Sequence, residues 1–147
     1  MSLLEPPPEK TEKSRVWPFT IVALAAALLV ALWFSFRYYP EKKITTEFFD
    51  ALVAGDMDKA YVLWKPTPSY RKEDFLADWG PTGYYGPVKS YQIMSAKTPR
   101  KSDSIAVNVA ISPFSPMPDE SDAEKSQKTR VVSLWISPAD KSFSFAP

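Results

Sequence analysis

The stretch FFDALVAGDMDKAYVLW, residues 48–64, decides the fold because it encodes two short helices and the break between them. The longer segment KKITTEFFDALVAG (42–55) repeats apolar residues at positions that share one helical face, namely Ile44, Phe48, Ala51 and Leu52. Gly55 suits the residue after a helix end, and Asp56 suits the cap of the next helix. The second helix, 57–64, is predicted to end before Pro66 and to place on one side Ala60, Leu63 and Trp64.

The sequence after this helical pair predicts one more helix and then a change to strands. TPSYRKEDFLADWGP (67–81) predicts a third helix, capped at its start by Ser69 and stopped by Gly80-Pro81. Alternating apolar and polar residues then predict strands at 88–97, 104–111, 130–136 and 142–145. The proline-rich, charged segment 112–129 is predicted to be a long mobile loop. Three helices followed by an antiparallel meander make an α+β domain over 41–147.

Upstream of this domain lies an uncharged segment of 21 residues, VWPFTIVALAAALLVALWFSF (16–36). As a helix it would span about 30 Å, the thickness of a hydrocarbon core. Aromatic residues typical of membrane interfaces lie near its two ends, namely Trp17, Trp33, Tyr38 and Tyr39. A cleaved signal peptide would have a shorter apolar run that ends in a small-x-small site, and a buried core helix is seldom apolar all round. The sequence therefore predicts an uncleaved single-pass transmembrane helix over 16–37, preceded by a disordered tail, 1–15.

The side of the membrane is not decided by charge, because basic residues flank both ends of the helix equally. The usual layout of such an anchor places the N-terminus in the cytoplasm and the domain on the extracytoplasmic, periplasmic side. Within the apolar segment, small residues recur every four positions at Ala23, Ala27 and Ala31. Such a ridge permits close helix packing, although alanine is also common facing lipid.

Composition limits the chemistry that this chain can perform. It contains neither cysteine nor histidine, so disulfides, thiolate catalysis and cysteine-ligated metals are excluded. The commonest general base and the commonest metal ligand are also missing. The formal net charge of +1 implies no general attraction to nucleic acid. We therefore predict no metal, no cofactor and no nucleic-acid partner.

The opening stretch, with the helix, the glycine-proline loop and the strand VKSYQIMSAK (88–97) that follow it, resembles bacterial nuclear transport factor 2-like domains of the cystatin-like or SnoaL-like group. Such domains often show an aromatic residue and a leucine before Gly-Asp and an Ala-Tyr pair after it. The matching residues here are Phe49, Leu52, Gly55, Asp56, Ala60 and Tyr61. The resemblance implies a curved antiparallel four-stranded sheet with the helices packed into its concave face as a cone. The chain departs from the usual ending, in which a Gly-x-Trp-x-Ile-like strand closes the sheet, because Trp135-Ile136 lies in the third predicted strand.

Enzymatic members of this group use an Asp or His in the pocket, commonly with a Tyr as proton donor. None of the first three predicted strands contains Asp, Glu or His, and the helical residues Asp50, Asp74 and Asp78 fit caps or solvated faces. We therefore predict no catalytic residue. Four residues are candidates for the wall of a small apolar pocket inside the cone: Phe48, Tyr61, Trp64 and Tyr91.

The outer face of the predicted sheet carries apolar residues where a sheet covered on one side would be polar. Candidates for a partner interface there are Val131 and Trp135, with a further aromatic pair, Phe143 and Phe145. The alternative is that Trp135 lies flat over neighbouring strands or under the 112–129 segment.

The function expected from these features is that of a non-catalytic, single-pass membrane protein. It would be an accessory or assembly subunit of a larger membrane complex, with an integral membrane protein or a second copy as its partner. Two alternatives stay open: a membrane-tethered domain that binds a small apolar ligand, and an enzyme of the isomerase or dehydratase type.

Overall fold

The computed structural model describes Leu4 and residues 16–147, and it divides into two compact units between Arg37 and Tyr38. The tail predicted over 1–15 therefore lies outside the described residues, Leu4 excepted. The first unit contains helix α1, Trp17–Phe36, none of whose residues is buried. The Thr20 hydroxyl within this helix is satisfied locally, because its Oγ1 donates to the Trp17 carbonyl at 2.7 Å. Within the described part of the chain, this region holds the one helix that is long and apolar enough to cross a membrane.

The second unit, Tyr38–Pro147, begins with the three predicted helices. They are α2 (Tyr39–Val53), α3 (Met57–Trp64) and α4 (Lys72–Trp79). Gly55 lies between α2 and α3 with a φ of +77°, a conformation that suits glycine. The Asp56 carboxylate caps α3 by accepting a hydrogen bond from the Lys59 N–H at 3.1 Å. The helical break is therefore built by the two residues that the sequence assigns to it.

Four strands form one antiparallel sheet in the order β1-β2-β3-β4. They are β1 (Ser90–Lys97), β2 (Ile105–Ser112), β3 (Arg130–Ile136) and β4 (Phe143–Phe145), with a short helix α5 (Ala123–Gln127) between β2 and β3. The predicted α+β class, with a long apolar N-terminal helix, is confirmed. The sheet is uncurled, which differs from the curved, cone-forming sheet that the resemblance implies. Strong curvature needs bulges and glycine kinks, and this sheet has one register shift, between Ile93 and Ser95, and no glycine in its strands.

The predicted cap of the third helix is wrong. Helix α4 begins at Lys72 and not after Ser69, because the Asp74 carboxylate reaches back to accept from the Arg71 N–H at 2.9 Å. The hydroxyl of Ser69 instead hydrogen-bonds that of Thr67 at 3.1 Å. The segment 112–129, predicted to be a mobile loop, contains the short helix α5, which Asp122 caps by accepting from the Lys125 N–H at 3.1 Å.

The core lies between the helices and one face of the sheet. The sheet contributes the alternate residues of β2 and β3, namely Ile105, Val107, Val109, Ile111, Val132, Leu134 and Ile136. The helices contribute aromatic rings around Phe48, which is completely buried. The ring of Phe48 lies 5.1 to 6.2 Å from those of Phe49, Trp64, Phe75, Trp79 and Phe143. Large rings in tilted and edge-to-face contact thus fill the centre of the domain.

The placement of Phe143 and Phe145 on the outer face of the sheet is wrong. In an antiparallel pair, residues directly opposite each other share a face. Phe143 pairs with Ile136 and Phe145 pairs with Leu134, and both partners are buried. The two rings therefore face the core, where each lies close to Trp64, at 5.5 Å and 5.1 Å. The hairpin between β3 and β4 sets this register, and one residue of slip would reverse it.

Candidate functional site

The interior of the domain offers little room for a ligand. Of the residues predicted to line a pocket, Phe48 is enclosed by other rings, and Trp64 borders an open cleft of about 160 Å³ with Tyr70, Phe143 and Phe145. Ligand pockets usually have about 300–1,000 Å³. The Tyr61 hydroxyl donates to the Tyr70 carbonyl at 3.0 Å. The remaining candidate, Tyr91, stacks on Phe49 with ring centroids 5.2 Å apart.

Two tyrosine–aspartate pairs lie beside this interior. The Tyr70 hydroxyl donates to Asp78 Oδ2 at 2.6 Å, and the Tyr91 hydroxyl donates to Asp50 Oδ1 at 2.5 Å. Burial raises the pKa of Tyr70, and the hydrogen bond and charge of Asp78 raise it further. Burial likewise raises the pKa of Tyr91, with Asp50 adding to the effect. Both phenols therefore hold their protons more firmly than free tyrosine, the opposite of what a catalytic proton donor near neutral pH needs.

On the outer face of the sheet, two small buried residues lie opposite two larger apolar residues. Ala106 and Ala110 are buried there, and they pair with Trp135 and Val131 respectively. Trp135 is half-buried, whereas Val131 is 65% exposed. We call the surface formed by these four residues the outer apolar face.

A second surface lies at the end of the sheet where β3 begins and β2 ends. A cleft of about 360 Å³ opens there between three segments, 85–87, 111–113 and 127–130. Its polar lining includes Gln127, Lys128 and Arg130. We call it the basic cleft.

Arg130 is held in place in the basic cleft by a hydrogen bond that does not neutralise its charge. Arg130 Nη1 donates to the Tyr84 carbonyl at 2.7 Å, and its guanidinium lies 5.3 Å from the centroid of the Tyr84 ring. Within the described part of the chain, neither Arg130 nor Lys128 forms an ion pair with an acidic residue. Burial raises the pKa of Tyr85, which also lines the cleft, and the positive charge of Arg130 opposes that rise. The cleft therefore combines aromatic surface with unneutralised positive charge.

Glu41 is a buried acid at the start of the second unit, 3% exposed. Its Oε1 accepts from Lys141 Nζ at 2.6 Å, which ties the first turn of α2 to the turn between β3 and β4. Its Oε2 has no hydrogen-bond partner among the described residues. The pair is a structural clamp that leaves one buried oxygen unsatisfied.

The residues predicted at the membrane interface divide between the two units. Trp17 and Trp33 are exposed on α1, and the Arg37 guanidinium lies 5.0 Å from the Trp33 ring. Tyr38 belongs to the second unit, where its hydroxyl lies 3.1 Å from that of Thr98, and Tyr39 is exposed. The small residues Ala23, Ala27 and Ala31 are exposed along α1. In the described part of the chain, no group of acidic residues is arranged to hold a metal ion.

Sequence reasoning missed the basic cleft and the Glu41–Lys141 pair. The segment GPTGYYGP (80–87) carries one signal, two adjacent tyrosines in a glycine-proline loop. Nothing local links these tyrosines to Arg130, which is 46 residues away from Tyr84.

Comparisons with protein families, curated proteins and solved structures give no match for this chain. Its class must therefore be argued from its own geometry.

Proposed function

We propose that this chain is a non-catalytic, single-pass membrane protein that serves as an accessory or assembly subunit of a larger membrane complex. The observation that supports it is a contrast between the two units. Helix α1 exposes apolar side chains all round, whereas the second unit fills its interior with aromatic rings. An exposed apolar helix of 20 residues matches the thickness of a bilayer core and suits a bilayer better than water. An interior filled by side chains favours a role in surface contacts over ligand binding or catalysis.

The proposal includes an orientation and a domain class. The N-terminus lies in the cytoplasm and the second unit on the extracytoplasmic side, as in the usual layout of such anchors. The second unit is a nuclear transport factor 2-like domain, a proposal supported by the order of three helices and four antiparallel strands and by the Gly55-Asp56 break. Its partner is an integral membrane protein or a second copy of the chain.

The outer apolar face is the contact surface that we assign to this partner. Val131 is exposed on a strand whose other face is buried, and Trp135 offers a large ring beside it. Aromatic residues of this kind commonly carry much of the binding energy at protein interfaces.

The test is to solubilise native membranes in a mild detergent, isolate the chain, and measure the size and composition of what accompanies it. A stoichiometric larger complex supports the proposal, and a lone monomer contradicts it. The Trp135→Ala and Val131→Ser variants should lower the amount of partner retained. Val62→Ser is the matched control, because Val62 is 70% exposed on helix α3 and lies away from the sheet. Equal retention by all variants would remove the outer apolar face from the interface.

A further inference from the structure

We infer that the basic cleft binds an acidic segment of the partner protein, with Arg130 pairing a carboxylate of that segment. The inference rests on the proposed function, because it specifies the chemistry by which the partner is recognised. It uses a surface different from the outer apolar face.

One wall of the basic cleft is held tightly in position. The Tyr84 and Tyr85 N–H groups donate to the carbonyls of Ala77 and Asp78 at 2.9 Å and 2.7 Å, which fastens the loop to the end of α4. A Cβ at Gly86 would lie 1.9 Å from the Gly80 carbonyl oxygen, so the loop backbone packs without space for a side chain. A wall fixed in advance loses little conformational entropy when a ligand binds.

Arg130 is oriented by this wall but keeps binding capacity. A guanidinium has five N–H donors, and the hydrogen bond to the Tyr84 carbonyl uses one of them. Its planar fork matches a carboxylate better than a lysine ammonium does. Lys128 lines the same cleft, and neither cation has an acidic partner in the described part of the chain. The two adjacent charges are therefore complementary to an anion supplied from outside.

Of the four acidic residues in the preceding loop, Asp119 and Asp122 are engaged within it, and Glu120 and Glu124 form no ion pair with Arg130 or Lys128. The Asp119 carboxylate accepts from the Ser121 hydroxyl and from the Ser121 N–H, the latter at 2.9 Å, and these hydrogen bonds lower the pKa of Asp119. Asp122 caps α5 and pairs with Lys125 at 3.4 Å. None of the four therefore neutralises Arg130 or Lys128, which leaves the cleft open to an acid from another chain.

The cleft lies at the end of the sheet opposite to the residue where the chain enters the second unit. Arg130 pairs with Ile111 near the end of β2, whereas Tyr38, where the chain enters this unit, contacts Thr98 beyond the other end of the sheet. The eight residues of β2 separate the two ends by about 25 Å. The apolar residues Ile111 and Pro113 in the lining also suit the side chain next to an acid in a peptide.

The first test uses the full-length protein in nanodiscs of zwitterionic phosphatidylcholine. The probe is a fluorescein-labelled Gly-Glu-Glu-Glu-Glu-Gly peptide, and its glutamine counterpart is the control ligand. Fluorescence anisotropy should show binding of the acidic peptide that weakens with added salt. Arg130→Gln should weaken it about tenfold, and Lys128→Gln by less. The control Arg100→Gln, an exposed cation outside the cleft, should change it by less than about twofold.

Equal binding of the two peptides, or equal loss in Arg130→Gln and Arg100→Gln, would overturn the inference. Two further results would overturn the inference. One is an effect of Arg130→Gln that is seen only in binding to phosphatidylserine vesicles, and the other is full displacement of the peptide by an equal concentration of inorganic phosphate. Thermal unfolding of each variant separates lost binding from lost folding, and Arg130→Lys provides a second, charge-preserving variant whose binding should fall between wild type and Arg130→Gln.

A second test separates this inference from the proposed function. The native complex is washed with increasing salt, and partner retention is compared between wild type and Arg130→Gln. A partner retained equally by both proteins overturns the inference while the proposed function stands. Binding of the acidic peptide without any co-purifying partner contradicts the proposed function and supports the cleft chemistry.

Discussion

At the scale of single residues, Glu41 shows how the fold tolerates a buried charge. Its carboxylate has one good partner, Lys141, and one oxygen without a hydrogen bond among the described residues. A buried ion pair adds little stability in itself, but removing one partner leaves an uncompensated charge. Loss of Lys141 is therefore expected to destabilise the fold more than the intact pair stabilises it.

We predict that Lys141→Ala lowers the free energy of unfolding by about 2–4 kcal/mol, because the buried Glu41 carboxylate loses its cation. Adding Glu41→Gln to that variant should recover part of the loss. Urea unfolding of the detergent-solubilised protein, followed by tryptophan fluorescence, measures both. Lys43→Ala, which removes an exposed cation from the same helix as Glu41, should cost less than about 0.5 kcal/mol. Equal stabilities for the two lysine variants would contradict the clamp.

Tyr70 and Tyr91 should be the last tyrosines to ionise. Their pKa values in the folded protein are raised above the ordinary 10.0, so the folded state holds these protons more firmly than the unfolded state. Their contribution to stability is fully present below pH 10.0 and is lost as the pH rises towards the raised values. An alkaline absorbance titration should show both phenols still protonated at about pH 11 while the protein remains folded.

Asp78→Asn serves as the control for that titration. It removes the charge next to Tyr70 and should lower the pKa of Tyr70 in part, because burial is the larger cause of the rise. Ionisation of all seven tyrosines in a single step near pH 10, with the fold intact, would show that the two pairs do not exist in solution.

At the scale of elements, Gly55 and Gly86 are needed for different reasons. Gly55 ends α2 with a φ of +77°, and a Cβ there would meet nothing within 4 Å. Gly86 lies where the 80–87 loop packs on its own backbone. We predict that Gly55→Ala costs about 1 kcal/mol through the left-handed backbone alone. Gly86→Ala should cost about 3 kcal/mol, because the loop must move to relieve the clash. Thermal unfolding compares them, and a Gly86→Ala protein as stable as Gly55→Ala would contradict this packing.

Helices α1 to α4 and the four strands follow from local patterns, and the sequence locates them to within a few residues, whereas α5 was not predicted. The third predicted strand, 130–136, coincides with β3 because the buried residues Val132, Leu134 and Ile136 alternate with residues that are not buried. Asp56 is correctly assigned as a cap because its carboxylate acts on a residue three positions away. The assignment of Ser69 as the cap of the third helix is wrong, because the Asp74 carboxylate accepts from the Arg71 N–H at the start of that helix.

The functional surfaces depend on contacts that no local pattern contains. The side of the sheet taken by Phe143 and Phe145 depends on a hairpin register, which a shift of one residue reverses. The basic cleft joins the 80–87 loop to Arg130, and the clamp joins Glu41 to Lys141, a separation of 100 residues. Tertiary structure brings these groups together, so their roles could be inferred only from the fold.

At the scale of the whole molecule, the two units differ in how much apolar side-chain surface they expose. The second unit buries its aromatic residues, whereas α1 leaves large apolar side chains exposed, among them Leu24 at 72% and Leu29 at 66%. Monomeric soluble proteins rarely expose a continuous apolar surface of this extent. Leu28→Arg, near the middle of α1, should therefore reduce membrane retention, since a central arginine costs about 2.5–3.5 kcal/mol on insertion. Alkaline carbonate extraction measures it, with Val62→Arg as the control on α3. Equal extraction of the wild type and the Leu28→Arg protein would contradict the anchor.

The orientation of the molecule can be measured cleanly because the chain has no cysteine. Ala139 is exposed in the turn between β3 and β4. We predict that Ala139→Cys reacts with a membrane-impermeant maleimide in cells whose outer membrane is permeabilised and whose inner membrane is intact. Ser2→Cys, at the start of the chain, should react only after the inner membrane is lysed. The physical basis is that one hydrophobic span separates the two positions, so a single helix across the bilayer must place them on opposite sides. Labelling of Ser2→Cys alone would reverse the proposed orientation and put the basic cleft and the outer apolar face in the cytoplasm. Labelling of both positions in intact cells would show that α1 does not span the membrane.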